Sequence, residues 1–169
     1  MARVLIVDDD LTLLDAFSKT LKRSGYEAIP AEGPRQALEI IRSQPHVDVV
    51  LSDVVMPEMR GTELVREIGQ LSPDSACVLM SAGVVPRSEL PPDVPLLRKP
   101  LLKDDLLAAV DQALIRASEL HARLQAAMND SAALQRRAKR LLAESQELRR
   151  KIDSDRQSRF SCKKKGPGR

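Results

Sequence analysis

Short apolar runs that stop on polar residues alternate along this chain with stretches whose apolar positions recur at helical spacing. Val4 to Val7 is such a run and ends on Asp8 and Asp9; a run that short reads as a buried strand. From Leu11 to Ser24 the apolar residues 13, 14, 17 and 21 share one helical face, and Gly25 supplies a stop. Tyr26 to Pro30 fits a second strand, and Pro34 opens a helix to about Gln44 with Ala37, Leu38 and Ile41 inward. Val47 to Ser52 is a third strand that delivers Asp53. Thr62 is placed to cap a helix through Leu71, whose Leu64, Val65, Ile68 and Leu71 form one stripe. Ala76 to Met80 predicts a fourth strand ending at Ser81, and Val94 to Leu97 a weaker fifth.

Strand and helix alternating with short links imply right-handed βαβ units, and so an α/β fold with a five-stranded parallel sheet between helices. Residues 84–95 break the rhythm: Pro86, Pro91, Pro92 and Pro95 leave room for one helical turn, so the fourth helix is expected to be short or missing. The opposite holds from Asp104 to Ile152, where there is no proline or glycine. Leucine or alanine recurs every seven residues from Leu106 to Leu148, and a second position recurs from Val110 to Ile152. That register predicts a long helix continuing as a coiled coil, which would form a homodimer or grip a partner helix through residues 106–152. Asn129, Asp130 and Ser131 could instead end one helix and cap another, giving a folded-back pair.

Charge divides the chain at the same place. Residues 1–115 hold 12 Lys+Arg against 18 Asp+Glu, a net of −6, while residues 116–169 hold 15 against 6, a net of +9. The clusters at 136–140, 149–151 and 163–165 admit a nucleic-acid or anionic-surface reading, although a helix also needs solvated charge around its seam. Direct nucleic-acid binding is therefore the lesser expectation. Aromatic residues are only 2% of the chain, so the core must be aliphatic. No apolar stretch is long enough to span a membrane. Cys77 in an apolar run and Cys162 in a polar tail do not make a disulfide framework, so a cytoplasmic location is expected.

Asp8, Asp9 and Asp53 all follow strands, and open α/β sheets bind their ligands at that C-terminal edge. Carboxylates converging there with Lys99 suit a hard divalent cation and a phosphoryl group. The motifs carry a resemblance. Ile6-Val7-Asp8-Asp9, Asp53-Val54-Val55-Met56-Pro57 with Gly61, Ser81-Ala82 and Lys99-Pro100, in that order, resemble the receiver domain of bacterial two-component response regulators over residues 1–118. The resemblance implies a flavodoxin-like (βα)5 fold, a phosphoacceptor at Asp53, and a sensor histidine kinase or phosphotransfer protein as donor. It makes the chain a signalling domain and not an enzyme in its own right. Three regions follow: a receiver over 1–118, a long helix over 104–152, and a basic, disordered tail over 153–169.

On that footing each residue has a physical task. Mg2+ prefers six oxygens and keeps several waters, so Asp9 and Asp53, with Asp8 direct or through water and the Val55 carbonyl, would hold it. Lys99 would pair with Asp53 at rest and with phosphoryl oxygens after transfer. The Ser81 hydroxyl could bond one of those oxygens, and the small Ala82 keeps the approach open. Asp10 reads as the cap of the first helix, and His46 and His121 as a loop and a helix-flank residue. Two departures from the family pattern stand out. Leu96 occupies a usually aromatic position, and Val55 has no polar group to orient an attacking water, which predicts slow self-dephosphorylation. No DNA-binding helix-turn-helix fits after residue 118. A minor alternative is a haloacid-dehalogenase-like phosphatase with Asp8 as nucleophile, from the Asp8-Asp9-Asp10-Leu11-Thr12 run; Leu11 stands where that family has glycine.

Overall fold

The computed structural model describes residues 1–43 and 46–162, with residues 152–162 described by backbone alone. Gln44 and residues 163–169 of the expected tail lie outside the described residues. Five strands, β1 (Arg3–Val7), β2 (Glu27–Ala31), β3 (Val49–Asp53), β4 (Ala76–Ser81) and β5 (Leu96–Arg98), alternate with α1 (Leu11–Arg23), α2 (Pro34–Ser43) and α3 (Gly61–Leu71). A single 3-10 turn, Arg87–Glu89, replaces a helix between β4 and β5, and α4 runs Lys103–Cys162.

The sheet order is β2-β1-β3-β4-β5 and every pairing is parallel. Because side chains alternate across a strand, the apolar runs supply both faces. Val4 and Ile6 of β1 point to one side, packing with Leu14, Phe17 and Leu21 of α1 and Leu106, Val110, Ala113 and Ala117 of α4. Leu5 and Val7 point to the other, against Ala37 and Leu38 of α2 and Leu64 and Ile68 of α3. Helices thus cover both faces, as a buried parallel sheet requires.

Several expectations shift. Thr62 does not cap α3: the helix begins at Gly61, and the Thr62 side chain is buried inside the first turn. Arg60 is the cap residue, with its N–H donating to Glu63 Oε2 at 3.2 Å. The last strand starts at Leu96 and not Val94. Asp93 sits at φ 64 and the Val94 N–H turns back to the Pro91 carbonyl, so pairing opens only at Pro95, whose carbonyl accepts from Leu79 N–H at 2.9 Å. Asn129, Asp130 and Ser131 are all helical, so no folded-back pair forms there. No proline or glycine lies between Pro100 and Gly166, and α4 passes Ile152 without a break. The chain divides into two compact units, the first Met1–Leu124 and the second beginning at Gln125. The expected seam therefore serves two purposes: from Leu106 to Ala117 it is core of the first unit, and only its later repeats are exposed.

Candidate functional site

Parallel pairing places the ends of β1, β3, β4 and β5 side by side: Val7 pairs Ser52, Asp53 pairs Met80, and Ser81 pairs Arg98. The residues at or just beyond these ends are Asp8, Asp53, Ser81 and Lys99. Asp8 is 1% exposed and Asp53 7%, so two carboxylates are buried at one edge. Lys99 bridges them, its Nζ donating to Asp8 Oδ2 at 2.6 Å and to Asp53 Oδ1 at 2.5 Å. Burial alone would lower the Lys99 ammonium. Hydrogen bonds and charge from Asp53 and Asp8 outweigh that and hold it above the ordinary lysine value.

The remaining carboxylate oxygens are also oriented. Asp8 Oδ1 accepts from Asp10 N–H at 3.0 Å and Asp53 Oδ2 accepts from Val55 N–H at 2.7 Å. Lys99 itself is tied to the sheet by its backbone N–H, which donates to the Ser81 carbonyl at 2.9 Å, and the Lys99–Pro100 peptide is cis. Asp10 caps α1 as expected, Oδ1 accepting from Thr12 and Leu13 N–H at 2.8 and 3.2 Å. That use leaves the phosphatase-like run without its second carboxylate, and Asp8 is already held by Lys99.

The loop after Asp53 is pinned against the strand end. Val54 N–H donates to the Met80 carbonyl at 2.8 Å, and Gly61 N–H donates to the Val54 carbonyl at 2.9 Å. A Cβ on Gly61 would lie 1.9 Å from the Asp53 carbonyl oxygen, so only glycine lets α3 begin this close to the strand. Met56 is buried in the core beside α3, and Glu58 turns the loop at φ 71.

The expected residues divide. Asp8, Asp53 and Lys99 are brought into contact. Ser81 stands at the adjacent strand end, buried, its Oγ accepting from Gly83 N–H at 3.2 Å. Ala82, Val55 and Asp9 are exposed, and among the described residues Lys99 pairs with Asp8 and Asp53 and not with Asp9. The expected donors are all oxygen, the buried Asp8 and Asp53 carboxylates with Asp9 exposed next to Asp8, a donor chemistry that suits a hard cation such as Mg2+. Among the described residues no three His, Cys, Asp or Glu side chains form a ready cage; Lys99 takes an oxygen from two of them.

A second cluster was not foreseen. His46 Nδ1 and His121 Nδ1 each lie 3.3 Å from Asp74 Oδ2, and His46 Nε2 lies 3.7 Å from Asp48 Oδ1. Burial would raise the Asp74 carboxyl, but hydrogen bonds from His121, its own backbone and Ser72, with the charge of His46, hold it below the usual range. His46 and His121 are thus neither plain loop nor plain flank. They are 75 positions apart in sequence, and no local signal pairs them.

Known proteins match the first part of this chain. Residues 4–88 match the family described as the response regulator receiver domain. The chain is 31% identical over 121 residues to the response regulator receiver protein CpdR of Brucella abortus, covering 69% of this chain and 100% of that one. It is 34% identical over 117 residues to the transcriptional regulatory protein GlrR of Escherichia coli, but covers only 26% of that longer protein. Among solved structures, a CheY-like receiver domain protein of Methanospirillum hungatei superposes with a TM-score of 0.64 at 27% identity, over 70% of this chain and 98% of that one. The chemotaxis protein CheY4 of Vibrio cholerae gives 0.61 at 29% identity, over 68% and 99%.

Proposed function

The chain belongs to the response-regulator receiver family, and from that membership we propose that it accepts a phosphoryl group on Asp53 and signals by protein contact through its C-terminal helix. The donor is a sensor histidine kinase or a phosphotransfer protein, and no DNA-binding module is invoked. The observation that carries the reading is the buried Asp8–Lys99–Asp53 bridge at the sheet's C-terminal edge.

Phosphoryl transfer to a carboxylate asks the protein mainly for position and charge neutralisation. An Asp53 carboxylate oxygen forms the new P–O bond as the P–N bond to the donor histidine breaks. Asp53 is presented at a rigid strand end, with Val55 N–H fixing its second oxygen. Lys99 follows the charge, moving its hydrogen bond from the carboxylate to a phosphoryl oxygen. Ser81 supplies a hydroxyl to another such oxygen, and Ala82 offers no bulk against the incoming group. Asp8, Asp9, Asp53 and the Val55 carbonyl would hold Mg2+, which when bound neutralises phosphoryl charge. No helix among the described residues is long and apolar enough to cross a membrane.

The output reading rests on the exposed leucines of α4. Leu134, Leu141 and Leu148 recur at sevens and are 67%, 56% and 60% exposed. Phosphorylation can bias that helix only by as much as it distinguishes two states of the receiver. The test is intact-protein mass after incubation with magnesium and acetyl phosphate. The parent should gain one labile phosphoryl group, while Asp53→Asn should gain none. Equal labelling of both proteins would remove Asp53 as the acceptor.

A further inference from the structure

We infer that the partner of the exposed helix is a second copy of this chain, running antiparallel, in the single register that sets Ala138 of one copy against Leu141 of the other. The inference rests on the proposed pairing role of α4 and adds orientation and register to it.

Volume gives the orientation. From Ser131 to Leu148 one seam position of the heptad is occupied by Leu134, Leu141 and Leu148, and the other by Ser131, Ala138 and Ser145; all six are exposed. In a parallel pair each position meets its own equivalent. Thick layers of two leucines would then alternate with thin layers of two serines or two alanines, and the thin layers would stay unfilled. Close packing forbids such voids. In an antiparallel pair each position meets the other one. Every layer then holds one leucine and one small residue, so all layers are equal in volume and the helices approach evenly.

Charge gives the register. The position flanking the small seam residue is occupied by Asp130, Arg137, Glu144 and Lys151, alternating in sign every seven residues. In an antiparallel pair this position faces its own equivalent. With Ala138 opposite Leu141, Ser131 opposite Leu148 and Ser145 opposite Leu134, Arg137 faces Glu144 of the second copy and Asp130 faces Lys151. Symmetry makes each pair twice. A slip of one heptad in one direction sets Arg137 against Arg137 and Asp130 against Glu144. A slip in the other sets Glu144 against Glu144 and Arg137 against Lys151. Both wrong registers juxtapose like charges throughout. Lys151 also contacts Glu147 of its own helix at 2.8 Å, both groups being exposed, so it is shared.

The opposite flank is apolar where it needs to be. Met128 and Leu142 are 66% and 63% exposed, and in this register they meet the aliphatic stems of Arg149 and Gln135 of the second copy. That widens a narrow seam. A parallel pair would instead set Arg137 against Leu142 and Asp130 against Gln135, leaving only Glu144 with Arg149 as an ion pair.

The test uses the full chain with Cys162→Ser, carrying a nitroxide on Ala126→Cys or on Lys139→Cys, and reads distances by dipolar electron spin resonance. Cys77 is half-buried and is also replaced, by alanine, so that only the introduced cysteine carries the label. At 1.5 Å per residue the antiparallel register separates the two labels at 126 by about 40 Å along the axis, and brings those at 139 level with each other. A long distance at 126 with a short one at 139 is expected. Short distances at both sites would overturn the antiparallel arrangement while leaving self-pairing intact. A monomeric mass by light scattering with no dipolar signal would overturn self-pairing as well. Charge swaps give an independent readout: Arg137→Glu should weaken the dimer about tenfold, and Arg137→Glu with Glu144→Arg should restore it. In a parallel pair the double variant would face Arg149 with a new arginine and stay weak.

Discussion

Replacing Gly61 by alanine should be among the most damaging single-methyl additions this fold can receive. The added Cβ would stand 1.9 Å from the Asp53 carbonyl oxygen, 2.9 Å from the Asp53 carbonyl carbon and 3.0 Å from Ser52 Oγ. Real Cβ contacts essentially never fall under 3.0 Å, so strand and helix must part by about 1.1 Å, the difference between 3.0 and 1.9. Neither side yields easily. The Asp53 backbone lies in a central strand between β1 and β4, and α3 is anchored by the buried Leu64, Val65 and Ile68. The same movement stretches the 2.9 Å bond from Gly61 N–H to the Val54 carbonyl towards 4 Å, a separation at which it no longer counts as a hydrogen bond. Overpacking of this kind costs about 1–3 kcal/mol and an unmet buried backbone pair about 1–3 more. The sum, about 2–6 kcal/mol, is a large share of the stability of an ordinary domain. Urea unfolding followed by far-ultraviolet circular dichroism would measure it. Gly69→Ala is the internal control: it lies in the same helix with nothing within 4 Å of the built Cβ, and should gain up to about 1 kcal/mol. A Gly61→Ala protein within 1 kcal/mol of the parent would refute the close-approach argument.

Other expectations follow from the same contacts. Lys99→Met leaves two buried carboxylates facing each other, and should cost about 3–5 kcal/mol without divalent metal; millimolar Mg2+ should recover most of it, and chelation should abolish that recovery, whereas a variant equally unstable with and without Mg2+ would detach Lys99 from the metal-binding residues. Asp74 is held below the usual carboxylate range, so its contribution to stability is present above its unfolded value of about 3.9 and is lost as pH falls through the folded value. Asp74→Asn should therefore lower the melting temperature at pH 7 and match the parent in strong acid, and a constant gap across pH would exclude the His46–Asp74–His121 cluster as its source. Val55→Asn should shorten the lifetime of the phosphorylated protein about tenfold by orienting water; unchanged decay after removal of donor would discard the idea that Val55 slows it.

How much could be read from the sequence depended on whether the deciding force was local. β1 and β3 were legible because unbroken apolar runs, Val4 to Val7 and Val49 to Leu51, fit a short strand buried on both faces. The sheet edge then followed from topology, and with it the meeting of Asp8, Asp53 and Lys99. Thr62 misled because a hydroxyl before an apolar stripe is a fair capping signal. The approach of Gly61 to the Asp53 carbonyl, a tertiary contact, moves the cap back two residues, from Thr62 to Arg60. The heptads of α4 were visible throughout, but an apolar stripe is indifferent to what covers it. From Leu106 to Ala117 the cover is the sheet, and only packing distinguishes this from an intermolecular seam. His46 and His121 reach Asp74 from distant segments, an encounter with no trace in local spacing.

The most direct test of the account is to locate the phosphoryl group. Acyl phosphate formed with magnesium and acetyl phosphate can be reduced with borohydride, which converts the acylated aspartate to homoserine, and peptide mass spectrometry then finds the altered residue. Homoserine at position 53 alone is the predicted result. Homoserine at position 8, or none in a folded and phosphorylated sample, would contradict a mechanism built on Asp53 and its bridge to Lys99.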